Sequence, residues 1–105
     1  MSDPATTMTT KETIISLLET QKPELVKYGV SSIGLFGSYV RNEPSAGSDI
    51  DLLIDFEPDM ENFDNYMRVY DIFENLFNGD KVEIVTKNGL SKHIGPSILS
   101  NVLYV

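Results

Sequence analysis

Two aspartates, Asp49 and Asp51, stand one residue apart at the head of the apolar run DIDLLIDF, residues 49–56. Along an extended strand, residues i and i+2 project to the same side, so these carboxylates share one space while Ile50, Leu52 and Ile54 point away from it. Neighbouring carboxylates repel, and aspartate is a poor strand former, which makes the pair costly as mere surface. A hard divalent cation that takes oxygen ligands relieves the repulsion, and Mg²⁺ suits such a pair. A third carboxylate, Glu83, lies in the β-branched segment KVEIVT, residues 81–86. Taken alone, Glu83 is the outward position of an alternating strand; it joins the pair only if its strand lies beside theirs. Three carboxylates so placed make the oxygen-rich cluster of two-metal phosphoryl and nucleotidyl transfer.

A second group of residues precedes the aspartates. Gly37 and Ser38 follow the apolar run VSSIGLF, residues 30–36. Gly37 lets the backbone approach a phosphate closely, and Ser38 offers a hydroxyl and an amide where a helix N-terminus would favour an anion. In isolation the pair is an ordinary turn after a strand; its place ahead of Asp49 and Asp51 gives it a role in gripping a triphosphate. Arg41, one turn further on, is a secondary candidate for a phosphate contact. Asp55 and the lone His93 are assigned to the surface.

The elements that must carry these residues follow from periodicity and breakers. Thr9-Thr10-Lys11-Glu12 has the form of a capping box, and Ile14, Ile15, Leu17 and Leu18 then mark a helix from about Thr10 to Thr20. Pro23 is expected to end it and to open a second, shorter helical piece that stops at Gly29. Val30–Phe36 is the first strand, residues 39–48 a loop or helix-loop connection rich in breakers, Asp49–Phe56 the second strand and Lys81–Thr86 the third. Between the last two, Phe63, Tyr66, Tyr70, Phe73 and Phe77 recur at helical spacing as a stripe assigned to the core, with Gly79 as the stop. A final helix is expected from about Pro96 to Leu103. The pattern predicts an α/β fold, a small sheet with helices packed against it.

Composition narrows the function. The chain has 105 residues, which fits one domain over 10–105 with residues 1–9 as a disordered tail. Sixteen acidic against eight basic residues give a net charge of -8, which disfavours direct binding to nucleic acid. Without cysteine there is no thiolate metal site, cysteine nucleophile or disulfide, and with no apolar run long enough to span a bilayer the expected location is cytoplasmic.

With those residues in view, GLFGSYVRNEPSAGSDIDLLIDF, residues 34–56, resembles the signature of the DNA polymerase β-like nucleotidyltransferase superfamily: a Gly-Ser pair and, about ten residues on, Asp-x-Asp between apolar residues. The short chain, Arg41, the KVEIVT strand and the closing PSILSNVLYV are similar to its minimal nucleotidyltransferase branch. The resemblance implies a mixed-sheet α/β fold and Mg²⁺-dependent transfer of a nucleoside monophosphate, AMP from ATP, to a separate protein, in the role of antitoxin to a HEPN-type toxin. It further implies Gly37, Ser38 and Arg41 as nucleotide-binding residues and Asp49, Asp51 and Glu83 as the catalytic metal ligands. At the third of these the branch more commonly has aspartate, one methylene shorter. A competing expectation is a non-catalytic antitoxin, a binding module that masks its partner; a small-molecule-modifying transferase is a third, for which the sequence shows no acceptor pocket.

Overall fold

The computed structural model describes residues 10–41, 49–78, 80–89 and 95–105. The expected tail 1–9, residues 42–48 of the expected loop, the stop at Gly79 and the surface residue His93 lie outside the described residues.

Helix α1 spans Lys11–Val26. Its cap is Thr10, whose hydroxyl accepts from the Thr13 backbone amide at 3.1 Å, one residue later than the capping box read at Thr9. The expected break at Pro23 does not occur, and the two expected pieces are one helix. Pro23 and Glu19, whose carbonyl loses its bond to the missing amide, are both exposed, so water can serve that carbonyl. Meanwhile Ile14, Leu18 and Leu25 form one fully buried stripe running past the proline. Burying each such side chain contributes about 1.5–3 kcal/mol, enough together to outweigh a proline cost of about 3 kcal/mol.

Strand β1 spans Val30–Phe36, as read from the sequence, and β2 spans Ile50–Phe56, with Asp49 just ahead of it. The two are antiparallel, Ile33 opposite Ile54 and Leu35 opposite Leu52. From β2 the chain returns through helix α2, Phe63–Leu76, to β3, Val82–Thr86, which pairs with β2 in parallel. Such a pairing needs a crossover connection, and α2 supplies it. Asn62 caps α2, its side chain accepting from the Asn65 amide at 2.9 Å.

Helix α3, Gly95–Ser100, ends short of the expected Leu103 because the chain turns into a strand the sequence reading lacked, β4, Leu103–Tyr104. It pairs antiparallel with β1, Leu103 opposite Leu35 and Tyr104 opposite Gly34. A Cβ at position 34 would collide with Val102 Cγ1, so the glycine makes room for the chain as it enters β4. The sheet order is β3-β2-β1-β4, a small mixed sheet as expected.

One face of the sheet, with Ile33, Leu35, Ile50, Leu52 and Ile54, joins the helices in a single apolar core. The aromatic stripe assigned to the core is only half there: Phe73 is fully buried and Phe77 nearly so, but Phe63 is 76% exposed. Val69 takes the buried position one turn before Phe73, and Tyr66, Ile72 and Leu76 pack beside it. The buried line thus runs through Val69, Phe73 and Phe77, and Phe63 in the first turn of α2 lies outside it. Phe73→Ala should therefore lower folding stability by about 3–5 kcal/mol in urea denaturation, whereas Phe63→Ala should stay within about 0.5 kcal/mol of the parent.

Candidate active site

The condition left open in the sequence, that the third strand lie beside the second, is met. In the β2–β3 register Asp51 stands directly opposite Glu83, with Ile50 opposite Val82. Alternation sends Asp51 and Glu83 to the face away from the helical core, because Ile50 and Leu52, on either side of Asp51, are fully buried in that core. Asp49 shares their face. One carboxylate oxygen from each of Asp49, Asp51 and Glu83 lies within 4.8 Å of the other two. Asp49 and Asp51 are half-buried and Glu83 is exposed, so the cluster opens toward solvent on the β3 side.

The turn after β1 borders the same cluster. Residues Gly37–Tyr39 form a short 3-10 turn, and Gly37 O accepts from the amides of both Val40 and Arg41 at 3.2 Å. Gly37 has a φ of +82°, a left-handed conformation that costs other residues energy. A Cβ on it would also collide with Asp51 Oδ2. The bare Cα of Gly37 thus makes room for the carboxylate, a reason for glycine that differs from the close phosphate approach inferred from the sequence. Ser38 is half-buried within the turn, and Arg41 is exposed just beyond it. Tyr39, read only as the start of a loop, is 5% exposed and belongs to the core cluster, where it pins the turn to the body of the domain. Its signal in the sequence was an aromatic residue between a Gly-Ser turn and a polar segment, too short for any periodicity to reveal it.

Electrostatics follow the geometry. Burial raises the pKa of Asp51, the negative charges of Glu83 and Asp49 raise it further, and Arg41 pulls it down; the balance stands at about 6 against an ordinary 3.8. Three mutually repelling carboxylates gathered by the strands are the donor set of a hard divalent cation, so Mg²⁺ fits the residues present. Because the folded-state pKa of Asp51 lies above its unfolded value, its contribution to stability is fully present below about pH 4 and is lost as pH rises through about 6. In chelator-treated protein, Asp51→Asn should then stabilise the fold more at pH 7 than at pH 4, read from urea midpoints at both. An equal effect at the two pH values would show that Asp51 titrates as it does in the unfolded chain.

Comparison with known proteins gives the family and the fold. The family model described as "Nucleotidyltransferase domain" matches residues 18–105. The protein adenylyltransferase MntA of Thermococcus cleftensis is 39% identical over 99 residues, covering 93% of this chain and 98% of that protein. Among solved structures, one described as a proposed minimal nucleotidyltransferase superposes with a TM-score of 0.78 at 27% identity, covering 92% of this chain and 97% of that one. A mutant of the toxin-antitoxin MntA-HpeT superposes with a TM-score of 0.59 at 18% identity over 91% of this chain and 71% of that one, a likeness of fold. The family model and the relative each span most of the chain, which belongs to the nucleotidyltransferase domain family, in its minimal branch with the polymerase β-like fold.

Proposed function

We propose that this nucleotidyltransferase moves AMP from ATP, with Mg²⁺, onto a hydroxyl of a separate protein chain, and that this chain is a toxin of HEPN type which it neutralises. The observation that carries the reading is the convergence of Asp49, Asp51 and Glu83 within 4.8 Å beside the Gly37 turn. The nucleotide and the protein acceptor are supported by the relative named protein adenylyltransferase, and the toxin by the toxin-antitoxin structure that shares the fold. A net charge of -8 argues against a nucleic-acid acceptor. Among the described residues no helix is long and apolar enough to cross a membrane, and the chain lacks cysteine; both fit action in the cytoplasm.

In the proposed reaction an acceptor hydroxyl oxygen forms a bond to the α-phosphorus, the bond from that phosphorus to the bridging oxygen breaks, and pyrophosphate leaves. Asp49, Asp51 and Glu83 would hold Mg²⁺, which supplies neutralisation of the triphosphate and acidification of the attacking hydroxyl. Gly37 and Ser38 bind the triphosphate with backbone amides, and Arg41 adds a positive charge at its edge. Glu83, the exposed member of the cluster, takes the hydroxyl proton at a carboxylate oxygen. Its extra methylene over aspartate is accommodated because it stands on the open β3 side.

The test is transfer of label from ATP labelled at the α-phosphate into proteins of a lysate from the source cells, comparing the native chain with Asp49→Asn/Asp51→Asn. One discrete labelled band is expected with the native chain, and a signal at least about a hundredfold weaker with the variant, since the charges that serve the transition state are gone. Equal labelling by both would sink the metal assignment. Absence of labelling by either, with the toxin still neutralised by the variant, would instead establish a partner that is masked.

A further inference from the structure

We infer that Lys81 is a phosphate-binding residue of this site, holding the nucleoside triphosphate from the β3 flank opposite the Gly37-Ser38 turn. The inference rests on the nucleotidyl-transfer reading above and adds a residue to it. Lys81 precedes β3, but its carbonyl already belongs to the ladder, accepting from the Ile50 amide at 2.8 Å. Since Ile50 stands opposite Val82 and Asp51 opposite Glu83, one step back along the same register sets Lys81 across from Asp49. Alternation then assigns Lys81 to the face of Glu83, two residues on, which is the face of the carboxylate cluster.

Across the sheet, the site thus reads in order: the Gly37-Ser38 turn leaving β1, the two aspartates on β2, and Glu83 with Lys81 on β3. A ligand over the aspartates lies between the turn and the lysine. Lys81 is exposed, and its side chain has no hydrogen bond or ion pair among the described residues. Arg41 is the cation that bears on Asp51. Three carboxylates and a triphosphate bring together negative charge that divalent cations neutralise only in part, in a chain whose net charge is already -8. An unpaired ammonium on a flexible four-carbon stem at the rim of such a site is suited to a phosphate oxygen, as a point charge with three donors.

Binding of ATP in the presence of Mn²⁺, and of Mn²⁺ alone, would be measured by calorimetry for the native chain, Lys81→Met, Lys81→Gln, Lys81→Arg and Asp49→Asn/Asp51→Asn. Loss of the charge in Lys81→Met and Lys81→Gln should weaken ATP binding about tenfold or more, while Lys81→Arg stays within about threefold of native. Mn²⁺ binding without nucleotide should not weaken in any Lys81 variant. Native ATP affinity in Lys81→Met, with binding lost in the double aspartate variant, would overturn the role of Lys81 and leave the nucleotide site standing. Tighter Mn²⁺ binding together with unchanged ATP binding would overturn it too, making the lysine a counter-ion of the carboxylates. A native chain that binds no ATP would remove the nucleotidyl-transfer reading and this inference with it.

Discussion

The parallel register of β2 against β3 is the constraint on which the site depends, because nothing in the carboxylates themselves draws them together. Asp51 and Glu83 repel, and the burial and proximity that raise the Asp51 pKa are a cost the fold must offset. It is offset on the opposite face of the same strands. Ile50, Leu52 and Val82 lie in the apolar core with α1 and α2, and Ile84 packs against it. Their burial fixes the ladder in a register that also sets Asp51 beside Glu83. Helix α2 belongs to this account, since a parallel neighbour for β2 can be reached only by carrying the chain back across the sheet.

The other half of the site is fixed by a different device. A turn built from three residues has little stability of its own, and this one is tied down by Tyr39 in the core and by the fit of Gly37 against Asp51. Turn and strand are therefore not separate pieces placed near one another. Phe36 pairs with Asp51 in the β1–β2 ladder, so the turn begins where the carboxylate is displayed. A site assembled on strand ends of this kind holds its groups more firmly than one borne on a free loop.

Much of this was legible in the residues. The bounds of β1 follow from the residues as observed, those of β2 and β3 to within one residue, and the types and spacing of Asp49, Asp51, Glu83, Gly37 and Ser38 mark them as candidates. For β2 and β3 the reason is that one apolar and one chemical face give a period-two signal, whereas β1 is legible as a short apolar run ending at Gly37. What escaped depends on distant parts of the chain. Pro23 reads as a break until the stripe Ile14, Leu18, Leu25 is seen to bury continuously past it. Phe63 has the spacing of a core residue, but it is left exposed while Val69 takes the buried position before Phe73. A two-residue strand such as β4 has no periodicity to show, and it exists because β1 presents an edge and Gly34 leaves room there. The adjacency of Glu83 and Asp51 is likewise invisible locally, because strand order is decided by the whole domain.

The alternation of β2 has a consequence for how errors in this protein are caught. Sliding β2 by a single residue against its neighbours would turn Asp51 and Asp55 toward the helical core and carry Ile50, Leu52 and Ile54 out of it. Two buried, unpaired carboxylates and the displacement of three core side chains would together exceed the marginal stability of a domain this size. A chain that has acquired the wrong pairing is therefore left unfolded, exposed to cellular proteolysis, rather than surviving as a stable but inert copy. Placing the chemistry and the core on opposite sides of one strand makes folding itself a proofreading step for the site.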